Sequence, residues 1–213
     1  MVGGAAGIGR HGAPTQPGGR VSVEEFGLPR LWILRHGETE WSKSGLYTGL
    51  TDLPLTEEGE LQARHAKAAL DGVDFGLVLT SPLQRARKTA ELAGFPHAEA
   101  EPDAVEWDYG DYEGLKSADI RRDNPDYLIW THGVPNGETL EQVAARADRI
   151  VERAVGSGMA NVLVVAHGHF CRILTARWLR LAPIEGRHFI LGTAKVCRLG
   201  WDKRTPAVEA WGL

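Results

Sequence analysis

Leu31-Trp32-Ile33-Leu34-Arg35-His36-Gly37-Glu38-Thr39 decides the fold: a short apolar run that stops abruptly at an arginine, a histidine and a glycine. A continuous apolar run of this length is expected of a strand buried on both faces, as in a parallel sheet covered by helices. Two more segments read the same way. Phe75-Gly76-Leu77-Val78-Leu79-Thr80 leads into Ser81-Pro82-Leu83-Gln84-Arg85, and Val162-Leu163-Val164-Val165-Ala166 leads into His167-Gly168-His169. Between and after these runs the pattern turns helical. A helix is predicted from a Thr56 cap to Leu70, and another to about Ala93 with Ser81 as N-cap and Pro82 at its first position. Thr139-Leu140-Glu141-Gln142 reads as a capping box. The helix it opens has Leu140, Val143, Ala144, Ala147, Ile150, Val151 and Ala154 on one face. A fourth helix is predicted from about Phe170 to Leu181, and Val196–Leu199 and Ala207–Ala210 read as short late strands at an edge. Strands alternating with helices imply an α/β domain around a mostly parallel sheet.

In such a sheet ligands bind just beyond the carboxyl ends of the strands. The three strand ends would therefore bring Arg35, His36, Arg85, His167 and His169 to one crevice, a pocket suited to an anion, most simply phosphate. Taken singly these residues say little. Arg35 could be a solvated arginine, His36 a core histidine, and Arg85 part of a charged helix face with Arg87 and Lys88. His167 and His169 could be a metal pair, but no second ligand cluster of zinc-like spacing accompanies them. Their joint placement carries the reading. The segment Glu106-Trp107-Asp108-Tyr109-Gly110-Asp111-Tyr112-Glu113-Gly114 adds carboxylates among aromatic rings, where burial would favour the protonated form that a general acid needs. Spacing alone leaves Glu106, Asp108, Asp111 and Glu113 equally open for that role.

Composition narrows the class. The 213 residues are 43% hydrophobic and 24% charged, enough for a core and too apolar for general disorder. Lys and Arg number 24 against 28 Asp and Glu, a net charge of −4 that argues against nucleic acid or an anionic membrane as partner. No run of about 18 apolar residues is present to predict a membrane span. Cys171 and Cys197 cannot form a disulfide framework, and with no secretory leader pattern a cytoplasmic location is expected. Residues 1–20 hold seven Gly and two Pro. Residues 1–28 are therefore expected to be a flexible tail before a domain at 29–213. Within it Gly7-Ile8-Gly9-Arg10-His11-Gly12 matches a dinucleotide-binding fingerprint, but no strand pattern precedes it and Pro14 follows, so it is read as a coincidence.

Arg35-His36-Gly37-Glu38-Thr39 resembles the signature of the histidine phosphatase, or phosphoglycerate mutase-like, superfamily. Ser81 to Ala86, Glu106 to Gly114, Asn136-Gly137-Glu138-Thr139 and Ala166 to His169 follow in the family's order, so the resemblance covers about 29–213. It implies a three-layer α/β/α sandwich and a phosphatase that needs no metal or organic cofactor. It implies His36 as the nucleophile that forms a phosphohistidine, with Arg35, Arg85 and His167 clamping the phosphoryl oxygens and Glu106 as acid and base. It also implies substrate contacts at Thr48, Gly49, Tyr109 and the Gly168 backbone. Ser42 stands where the family usually has Asn. The stretch from Thr39 to Thr56 is most similar to the sedoheptulose-1,7-bisphosphatase branch, which suggests a sugar phosphate or bisphosphate with Lys43 toward a distal phosphate. The alternatives are a phosphoglycerate mutase and a non-catalytic phosphate-binding protein. Cofactor-dependent mutases carry an arginine pair after a tryptophan where this chain has Trp130-Thr131-His132, which favours the phosphatase. The expected partner is a small phosphorylated molecule, and a homodimer is compatible with the sequence.

Overall fold

The computed structural model describes Met1, Gly3 and residues 27–213. The expected tail, apart from Met1, Gly3, Gly27 and Leu28, and the Gly7–Gly12 match lie outside the described residues.

Six strands form one sheet in the order β3-β2-β4-β1-β5-β6: β1 (Arg30–Arg35), β2 (Leu77–Thr80), β3 (Glu99–Ala100), β4 (Asn161–Ala166), β5 (Val196–Asp202) and β6 (Thr205–Trp211). The pairs β1–β4, β2–β4 and β2–β3 are parallel, whereas β5 is antiparallel to both β1 and β6. Among the described residues seven α-helices accompany them: α1 (Glu40–Ser44), α2 (Glu57–Leu70), α3 (Gln84–Leu92), α4 (Ser117–Asp123), α5 (Ile129–His132), α6 (Leu140–Gly156) and α7 (Gly168–Trp178).

The alternation inside β1 makes three layers. Leu31 and Ile33 face a core with Val143, Ala147 and Ile150 of α6 and Phe170, Ile173 and Leu174 of α7. Trp32 and Leu34 face the opposite core with Ala66 and Leu70 of α2 and Ala86 and Ala90 of α3. Each strand residue of β1 from Leu31 to Leu34 is thus buried, which is why the run shows no polar alternation. The caps follow the sequence at two helices. Thr56 Oγ accepts from the Gly59 N–H, and Thr139 and Gln142 form the capping box of α6.

Several expectations are corrected. Ser81 does not cap α3: the helix begins at Gln84 behind Leu83, and Ser81 Oγ instead accepts the Leu83 N–H at 3.3 Å. The late strands are longer than expected, and only β6 is at an edge, because β5 pairs with β1. The helices α1, α4 and α5 and the two-residue β3 are additions, each too short to show a period.

Candidate active site

Register places the histidines side by side. Arg35 pairs with Ala166 across β1 and β4, and the His36 N–H donates to the Ala166 carbonyl at 2.9 Å. His36 and His167 therefore leave adjacent strands at the same level, with ring centroids 5.2 Å apart. On the other side of β4, Ser81 N donates to Val165 O at 2.9 Å, which puts Ser81 beside His167. The turn after His36 is tight. A side chain on Gly37 would collide with the Gly59 carbonyl, and one on Gly59 with the Glu38 backbone, so the start of α2 packs directly on the strand end.

Burial, followed by the charges of Arg35 and Arg85, holds the His36 pKa well below its ordinary value, so the ring is neutral near pH 7. Its Nδ1 lies 2.7 Å from the Gly37 carbonyl, which can only accept. Nδ1 therefore carries the proton, and Nε2 keeps a free lone pair. His167 is also kept neutral, by burial and then by Arg85. Arg85 Nε donates to its Nδ1 at 3.2 Å, so His167 Nε2 bears the proton, 2.8 Å from Ser81 Oγ.

Arg85 is fully enclosed. Besides His167 it donates to the carbonyls of Thr48 (3.3 Å), Gly49 (2.7 Å) and Thr51 (2.9 Å). Arg35 is different. Its Nη1 donates to Leu191 O at 2.5 Å, but its buried Nε has no partner. An unpaired buried guanidinium N–H costs about 1–3 kcal/mol or more, and an anion is what would satisfy it.

Glu106 is buried and held by backbone amides. Oε1 accepts from Trp107 N and Phe170 N, both at 2.9 Å, and Oε2 accepts from His169 N at 3.0 Å. His167, the N-cap of α7, makes no side-chain cap, so Glu106 takes that role and lies on the positive end of the helix. The other three candidate acids are separated from it. Asp108 accepts from Gly110 N, Asp111 from Asn136 Nδ2, and Glu113 from Gly49 N and Thr51 N.

These groups surround a cavity of about 280 Å³. Of the residues singled out from the sequence, Arg35, His36, Ser42, Thr48, Glu106, Tyr109, Gly168 and His169 border it. The Gly168 N–H has no partner among the described residues. Arg85 and His167 are fully buried and do not border the cavity, and neither does the buried Gly49. Lys43 does not border the cavity; it is exposed and 3.9 Å from Glu38.

The sequence missed part of the wall. Tyr47 packs against Tyr109 with ring centroids 4.7 Å apart and a tilt of 31°, and Tyr109 Oη lies 2.6 Å from His169 Nδ1. Burial pushes the Tyr109 pKa well above 10 and that of His169 down to about 3, so the phenol donates to a neutral ring. Arg172, one turn beyond Gly168 on α7, also faces the cavity, with its guanidinium 4.7 Å over Trp130. Its place was readable from helical spacing; that of Ile190 and Leu191, from an irregular segment, was not. Among the described residues no group of three or more His, Cys, Asp or Glu is arranged to hold a metal ion. His167 and His169 point their ring nitrogens at Arg85, Ser81 and Tyr109 instead.

The model of the histidine phosphatase superfamily, branch 1, matches residues 31–213. An acid phosphatase of Mycobacterium tuberculosis is 42% identical over 187 residues, covering 86% of this chain and 92% of that protein. A sedoheptulose 1,7-bisphosphatase of Saccharomyces cerevisiae is 38% identical over 186 residues, covering 72% of this chain and 68% of its own. Among solved structures, the product of an open reading frame of Mycobacterium tuberculosis superposes with a TM-score of 0.83 at 42% identity, over 87% of this chain and 97% of that one. With the sandwich, the paired histidines and these likenesses in agreement, the chain belongs to branch 1 of the histidine phosphatase superfamily.

Proposed function

We propose that this protein hydrolyses phosphomonoesters through a phosphohistidine on His36 Nε2. One observation carries the reading: a neutral imidazole with its lone pair free stands in a cavity beside an unpartnered, buried Arg35 Nε–H. In the first step Nε2 bonds to phosphorus as the bond to the leaving oxygen breaks, and Glu106 in its acid form gives that oxygen a proton. Oε2 has room for the proton because it accepts a single N–H bond, whereas Oε1 accepts two. In the second step Glu106 takes a proton from water, the hydroxide attacks phosphorus, and the N–P bond breaks. Arg35 Nε and the Gly168 N–H meet the phosphoryl oxygens. His167 can turn its Nε2–H from Ser81 to a third, and Arg85 fixes its tautomer. Fixed donors of this kind supply most of the stabilisation in phosphoryl transfer.

A mutase would have to shield the phosphoenzyme from water while gripping a small carboxylate. Thr131 and His132, where mutases carry arginines, are exposed and bonded to each other at 2.9 Å. The likeness of residues 39–56 to the sugar bisphosphatase branch supports a sugar phosphate as substrate. Because Lys43 stands outside the cavity, a single phosphate is better supported than two. Two free, buried cysteines suit a reducing compartment, and among the described residues no helix is long and apolar enough to cross a membrane.

The test is phosphate release from p-nitrophenyl phosphate and from sugar mono- and bisphosphates. His36→Ala should lower kcat at least ~10³-fold, about 4 kcal/mol of barrier. Near-normal turnover by that variant would remove His36 as nucleophile.

A further inference from the structure

The loop Thr48–Thr51 is gripped from both sides. Its carbonyls at Thr48, Gly49 and Thr51 receive the buried Arg85 guanidinium. Its amides point the other way, into Glu113: Oε1 accepts from Gly49 N at 2.9 Å and Thr51 N at 3.1 Å, and Oε2 shares the Gly49 N–H at 2.9 Å. Among the described residues no cation pairs with Glu113 and no carboxylate hydrogen-bonds Arg85, so the two charges face each other across the peptide groups of the loop. Oriented peptide dipoles between a cation and an anion stabilise both, most strongly where water is excluded. The arrangement also explains Gly49. A Cβ there would stand 2.6 Å from both Glu113 Oε2 and the Trp107 carbonyl. The two segments are zipped alongside, with Tyr47 N on Leu115 O and Gly114 N on Tyr47 O, each at 2.9 Å.

We propose that Glu113 is a positioning residue of the active site. By gripping the amides of Gly49 and Thr51 it sets the loop that presents Thr48 to the cavity and aims Arg85 at His167. This rests on the phosphatase reading above. It assigns Glu113 a task other than proton transfer: unlike Glu106 it does not border the cavity, and its effect on the reaction passes through the phosphoryl-binding residues alone.

That distinction makes it testable. Glu113→Ala should raise the inhibition constant for inorganic phosphate by ~30-fold. It should also lower kcat/KM by a similar factor for p-nitrophenyl phosphate and for an alkyl phosphate, because the phosphoryl site is disturbed and the leaving group is not. Glu113→Gln keeps one carbonyl oxygen for both amides and should stay within ~3-fold of the parent. If Glu113→Ala does not fold, Glu113→Asp, one methylene short, replaces it with an expected rise of ~10-fold. Three results would overturn the proposal: an unchanged phosphate constant, a loss confined to the alkyl phosphate, or Gln as damaging as the shorter variant. Absence of any His36-dependent release from the parent protein would instead sink the phosphatase reading.

Discussion

The floor and the wall of the cavity are built by different means. The floor comes from two adjacent strand ends, where the sheet register sets Arg35 and His36 beside the buried His167. The wall comes from the irregular segment around Glu106, which no ladder positions. Its anchor is Arg146 of α6, a largely buried arginine that donates to the carbonyls of Asp103 (2.6 Å), Val105 (3.0 Å) and Glu106 (3.3 Å). The same guanidinium holds Glu138 with two bonds, at 2.8 and 2.7 Å, and lies 5.2 Å from the Phe170 ring centroid. Glu138 in turn accepts from Asp108 N at 3.1 Å. In the proposed mechanism, then, the residue that would receive the phosphoryl, His36, is set by the sheet, and the segment carrying the proposed acid, Glu106, is held by Arg146 and by the amides of α7.

Substitutions in the wall should therefore spare phosphoryl binding, and the first way to break the comparison is at Glu106. Glu106→Gln keeps the amides of Trp107 and Phe170 on its carbonyl oxygen but cannot cycle a proton. It should lose ~10²–10⁴-fold in kcat on an alkyl phosphate, the usual worth of general acid–base catalysis. Its loss on p-nitrophenyl phosphate, whose leaving group needs less help, should be smaller. Equal losses on both, with weakened inhibition by inorganic phosphate, would mean that Glu106 belongs to the floor.

Arg146→Met sharpens the point, since it touches no substrate. Removing the cation leaves Glu138 with the Asp108 N–H alone and takes a donor from three carbonyls, and unfolding in urea should show ~3–5 kcal/mol of lost stability. Below its melting temperature the variant should share the leaving-group dependence of Glu106→Gln, because the Glu106 backbone has lost its anchor. A variant as stable as the parent would place the anchor of this segment elsewhere.

The smallest expected effect distinguishes the two regions by pH. His36 and His167 in the floor and His169 in the wall all have lowered pKa values, with burial the leading cause in each. In the unfolded chain they charge near pH 6.5. The unfolded state then binds more protons, so stability is full above that pH and falls as the pH drops below it, for His169 down to about 3. Each contributes a slope of about 1.4 kcal/mol per pH unit. His169→Gln should flatten the acid limb of a melting-temperature profile by one such contribution, and an unchanged limb would show that His169 charges in the folded protein.

The same contrast explains what the sequence revealed. Apolar runs ending in Arg35-His36 and in His167-Gly168-His169 were legible because burial on both faces of a parallel strand leaves an unbroken run. Spacing did not single out the acid, and only the resemblance named Glu106, because the partners that separate the four carboxylates (Gly110 N for Asp108, Asn136 Nδ2 for Asp111, Gly49 N and Thr51 N for Glu113) are set by the fold. Only the folded α7 singles out Glu106 by offering it two amides from its first turn. Arg146 was hidden in the periodic face of α6, between Val143 and Ile150, where an apolar stripe was expected and a buried cation is present. The short helices α1, α4 and α5 hold too few turns to reveal a period, and Ser81 matched a capping pattern while its hydroxyl serves His167.

The most direct test is to trap the intermediate. Rapid acid-free quenching of the parent protein with a phosphate-labelled monoester, followed by peptide mapping, should find base-stable, acid-labile label on His36. Glu106→Gln should accumulate more of it, since hydrolysis of the phosphoenzyme needs that base. Steady phosphate release with no label on His36, or label on another residue, would contradict the mechanism.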